Sequence, residues 1–155
     1  MGKLQGRASN ALILYAKRLA WLNATPRPPA GTPRAAAFNL ATAPSRLDTL
    51  KRDRIPVQMP PLPLPHLIER WTEIGMTGSN GMSATPLSWT EIAAWQANTC
   101  IRLSPWEARI IRALSLAYVG QSRDSEEETC PSPWRGAVTE AEKAAEVAIL
   151  DSVLG

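Results

Sequence analysis

Two short stretches, Ser88-Trp89-Thr90-Glu91 and Ser104-Pro105-Trp106-Glu107, constrain this chain more than any other part of it. Each is a capping box. The Ser hydroxyl accepts from the backbone N–H three residues on, and the Glu carboxylate accepts from the N–H of the Ser. Each box therefore marks where a helix begins. Pro105 strengthens the second, because proline's fixed φ and missing N–H suit the first helical position. After the first box, Trp89, Ile92 and Trp95 fall on one face, with Thr99 at its edge. After the second, Trp106, Ile110, Leu114 and Ala117 do the same, with Ile111 and Tyr118 beside them. The link at Cys100–Leu103 is short, so Pro86–Tyr118 is expected to form a helical hairpin or a helix-turn-helix-like corner.

Similar signals place the other helices. Leu12, Tyr15, Leu19 and Leu22 recur at helical spacing in Ser9–Leu22, with Ser9 or Asn10 as cap. Ser45 and Asp48 open a short helix, Ser45–Arg54. Pro65 opens Pro65–Gly75, where Leu67, Ile68, Trp71 and Ile74 share a face. Thr139 and Glu142 open Thr139–Leu154. Between these, Thr25–Pro44 reads as a proline-rich linker, and Ile55–Pro65 as an extended strap. GMTGSNGMSATP reads as a flexible loop and Gly120–Arg135 as a polar one. No strand-like alternation and no solenoid repeat is visible. The fold class is all-α: a small helical bundle of about four to five short helices with a Pro-rich, partly disordered N-terminal arm. The arm is residues 1–59, with a helix at about 9–22 and the linker. The helical domain is 60–155. A core drawn from only part of the chain gives modest stability, which leaves room for help from a partner or for a homo-oligomer.

The chemistry-bearing residues do not assemble into a catalytic set. Glu91 and Glu107 are accounted for by capping. The single His66 lies among prolines without a nucleophile motif, and there is no phosphate-binding loop. Glu126–Glu128 is a run of neighbours without convergent oxygens for a cation. Cys100 and Cys130 fit neither a redox pair nor a zinc site, and Cys100 is expected to be a small buried residue. No catalytic, cofactor or metal residue is assigned. The net charge is +3, and ten basic residues precede His66. A nucleic-acid role for that arm lacks a recognised motif, and Pro105-Trp106-Glu107 is a poor start for a DNA-reading helix. No apolar run approaches the ~20 residues that span a bilayer, so a cytoplasmic chain is expected. Six Trp in one small chain are either core or also partner-facing. The candidate partner-binding residues are Trp71, Trp89, Trp95, Trp106 and Trp134, with Arg109, Arg112 and Tyr118.

The pattern of Ser88, Trp89, Glu91, Ile92, Ala94 and Trp95, then Pro105, Trp106, Glu107, Leu114 and Tyr118, resembles the tail assembly chaperones of long-tailed bacteriophages. It is similar in particular to their downstream part, which many such phages make by translational frameshifting. PLPLPHLIERWTEI, and CPSPWRG with the Glu- and Ala-rich helix after it, are similar to further family segments, so the resemblance spans about Pro60–Leu154. Residues before about Ser45 have no counterpart, and GMTGSNGMSA replaces a more charged loop. The resemblance implies a non-enzymatic protein of the host cytoplasm. It would bind the tape-measure protein, keep it soluble and help tail-tube protein assemble around it. The resemblance marks no individual binding residue. Two other readings are a structural tail or connector component and a small basic nucleic-acid-binding regulator.

Overall fold

The first helix, α1, runs Gly2–Asn23 and lies along α6, Pro105–Asp124, in the most extensive helix pairing of the molecule. Leu12, Ala16 and Ala20 are fully buried. They recur every fourth residue, so they line one face, and the two Ala side chains leave room for a close approach. Tyr15 and Leu19, which share the expected apolar face, are only partly buried against the core. The computed structural model describes residues 2–155. Among them are seven helices and one two-stranded hairpin, not four to five helices. The expected partly disordered arm is not what the structure shows, because Leu12 and Ala16 belong to the main hydrophobic core.

After α1 come two short helices, α2 (Pro33–Ala37) and α3 (Arg46–Arg52). Thr32 caps α2, within the stretch read as linker, by accepting from Ala35 N–H at 3.2 Å. At α3, Ser45 and Asp48 form the reciprocal box. Hydrogen bonds from Ser45 hold the Asp48 carboxyl below the usual carboxylate range. Along the strap, Leu62 and Leu64 pack on the core while Pro61 and Pro63 face solvent. An extended segment alternates sides in this way. α4 (Pro65–Ile74) then packs against both α5 (Trp89–Thr99) and α6. Between α4 and α5, the expected loop closes into β1 (Gly78–Ser79) and β2 (Ala84–Thr85). Asn80 Oδ1 accepts from the N–H groups of Met82 and Ser83, and Gly81 supplies φ +84° for the turn.

Both boxes of the sequence are made as drawn: Ser88 and Ser104 accept from Glu91 and Glu107 N–H. The helices they open meet at a corner. Cys100 takes the left-handed conformation there, at φ 56°, and is exposed, not buried as expected. Gln96 Oε1 accepts from Leu103 N–H at 2.8 Å and fixes the return. α6 continues past the expected end at Tyr118. Val119 is buried, and Gln121 holds the far end through its backbone C=O and its side chain to Ser125. Those contacts outweigh the ~1 kcal/mol helix penalty of Gly120. The last helix, α7, runs Glu140–Leu154 behind the Thr139 box and has no buried residue.

Candidate functional site

The candidate partner residues divide between core and surface. Trp71 is fully buried, its Nε1 donates to Met76 C=O at 2.9 Å, and its ring meets Tyr118 edge-on at 5.5 Å. Tyr118 is half-buried, and its hydroxyl accepts from Asn23. Trp95 is buried in the same core, although its Nε1 finds no partner among the described residues. Trp71 and Trp95 lie in the core, and Tyr118 packs against it. Trp89 is 53% exposed, with the Arg112 guanidinium over its ring at 5.5 Å. Arg109 is exposed. Trp134 is half-buried in the loop after α6, where Ser132 Oγ donates to its carbonyl and accepts from its N–H.

Trp106 belongs to both classes. It packs against the core and also walls an open groove of about 650 Å³. The other walls are Leu4, Ala8 and Ala11 of α1 and Pro61–Leu64 of the strap; Gln5 and Arg7 are its polar members. Local sequence shapes each wall. Prolines keep the strap out of helix, so it lies open beside α1. The box at Ser104 starts α6 where Trp106 can close the end. Glu107, besides capping, pairs with Arg70 of α4, which ties that corner to the core. A second apolar surface lies on α7, where Val147, Ile149, Leu150, Val153 and Leu154 are all exposed. Among the described residues no cluster of His, Cys, Asp or Glu could hold a metal ion, and no helix is long and apolar enough to cross a membrane.

An apolar groove with one aromatic wall, and no polar machinery, is built to hold apolar side chains. Residues 51–119 match the family described as phage tail assembly chaperone. This stretch is similar to a tail assembly chaperone segment. No curated protein and no solved structure matches the chain. The matched segment covers somewhat under half of the chain. It takes in the strap, α4, the hairpin, α5 and most of α6, with both boxes and Trp71, Trp89, Trp95 and Trp106. α1, Trp134 and α7 lie outside it.

Much of the remaining packing is held by residues that carry no motif. Arg46 donates to the carbonyls of Trp21, Ser125 and Glu127 at 3.2, 2.7 and 3.0 Å. It thereby places a positive charge on the C-terminal carbonyls of α6. Burial lowers its pKa, and that of Arg18. Both guanidiniums lie over the Trp21 ring, at 4.7 and 5.0 Å, and Trp21 Nε1 donates to Cys130 C=O. In α6, the buried Ser115 hydroxyl accepts from Leu87 N–H at 2.8 Å. The hydrogen-bonded pairs lie 25 to 109 positions apart, beyond any local pattern. The basic excess is also partly spent internally. Arg27 and Arg34 pair with Glu126 and Glu128 of the acidic run, and Arg52 pairs with Asp53.

Proposed function

We propose that this chain is a non-enzymatic phage tail assembly chaperone. In the host cytoplasm it binds the tape-measure protein and promotes assembly of tail-tube protein around it. The observation that carries this reading is the apolar groove between α1, the Pro61–Leu64 strap and Trp106, built partly from the segment that matches the family. A long helical client exposes apolar stripes until the tube encloses it. A groove of this width accepts such a stripe one helix face at a time, and Trp106 supplies the large, rigid contact that dominates interfaces of this kind.

Co-expression with the tape-measure protein tests the proposal. The wild-type chain should raise the soluble fraction of that protein and co-purify with it. Leu4→Asp, at a side chain that is 74% exposed, and Trp106→Ala should each reduce the recovered complex at least about ten-fold. A single disrupted hot spot of ~1.4 kcal/mol has that effect. A tape-measure protein that stays insoluble, with no co-purification, would sink the reading.

A further inference from the structure

The helix α7 touches its own chain only near its start, where Ala141, Glu142 and Ala145 are half-buried. None of its residues is buried, and none lines the groove. Its second half, Val147 to Leu154, is apolar on most sides and broken only by Asp151 and Ser152. Val147 is 56% exposed and Leu154 83%. A helix of this kind gains its stability from packing more than from propensity.

The groove offers a match in size and charge. Its α1 wall runs from Leu4 to Ala11, about 12 Å of helix, the same length as Val147 to Leu154. α1 carries Lys3, Arg7, Lys17 and Arg18 and no acidic residue, and Arg7 lies at the groove itself. On α7, Glu140 pairs with Lys143 and Glu142 faces Arg18 of its own chain, which leaves Glu146 and Asp151, flanking and within the apolar half, for a partner. Apolar faces and opposite charges are thus complementary between the two elements.

We infer that a second copy of this chain lays its α7 into the groove, and receives the first copy's α7 in return. The exchange is reciprocal, so the assembly closes as a two-fold dimer without leaving a free end. The inference deepens the function proposed above, because the occupant covers the groove assigned to the client. A client helix would then have to displace it, which keeps the free protein from exposing both apolar surfaces.

Sedimentation of the full chain across a concentration series tests the dimer without any client. The wild type should be a dimer at micromolar concentration. Leu150→Asp, which spoils the helix, and Leu4→Asp, which spoils the groove, should each weaken the dimer at least ten-fold. Circular dichroism should show both variants still helical, since both positions are exposed. Mixing the two variants should restore a heterodimer, because one intact groove then meets one intact α7. A wild type that is monomeric throughout would overturn the inference, as would a dimer indifferent to both substitutions or a mixture that stays monomeric. The function stands apart from this result: Leu150→Asp leaves the groove open and should still solubilise the tape-measure protein.

Discussion

At the scale of single residues, the tryptophans separate by what surrounds them. Trp71 and Trp89 each belong to an expected apolar helical face. Burial sets them apart. Trp71 fills the centre of the core and satisfies its indole N–H on Met76. Trp71→Ala should therefore cost about 3–5 kcal/mol, the range for emptying a large aromatic site. Trp89 is half in solvent and gains mainly from Arg112 above it, so Trp89→Ala should cost under ~1 kcal/mol. Urea titrations of both variants measure the difference; equal losses would show that burial does not rank these side chains. Sequence spacing could not draw this line, because helical periodicity names a face and not what covers it. Trp21 makes the same point. From sequence it only broadens the apolar surface of the first helix, yet it stacks under two arginines and anchors the loop at Cys130.

At the scale of elements, the capping boxes were the legible part of the fold. Their rule is local: a hydroxyl and a carboxylate three residues apart satisfy N–H groups that have no other partner. All four boxes read from the sequence, at Ser45, Ser88, Ser104 and Thr139, are made. Helix ends were less legible. α6 outruns Tyr118 because Val119 is buried and Arg46, far back in the chain, holds the Ser125 carbonyl. The groove was not legible at all. Its walls come from α1, the strap and the start of α6, and no local pattern brings those three together. The box that places Trp106 can be probed directly. Ser104→Ala removes the acceptor for Glu107 N–H and should cost ~1 kcal/mol, while Glu107→Gln keeps a capping oxygen and loses only the charge facing Arg70. That pair is partly solvent-exposed, so the second variant should cost less than the first. Thermal denaturation ranks the two, and the reverse order would mean that the ion pair, not the cap, holds the corner.

At the scale of the molecule, the question is whether residues 60–155 can stand without residues 1–59. The sequence divides there, because proline-rich segments flank the boundary and the family match begins close to it. The packing does not divide there. Leu12 and Ala16 share one core with Leu67, Trp71, Ile92, Ile111 and Leu114, and α1 covers α6 along much of its length. Removing α1 would expose the buried face of α6, including Leu114 and the polar Ser115. Removing the rest of 1–59 as well would take away Arg46, whose guanidinium holds the Ser125 and Glu127 carbonyls just past α6. A fragment of under 100 residues has little margin for such losses. Expressed alone, 60–155 should retain helix by circular dichroism but lose cooperative unfolding and bind a hydrophobic dye, the behaviour of a collapsed chain without fixed packing. Adding a peptide of residues 2–23 should restore a cooperative transition, since it returns the missing face of the core. A fragment that unfolds cooperatively without the peptide would show instead that α1 is an accessory and that the working module is the C-terminal part alone.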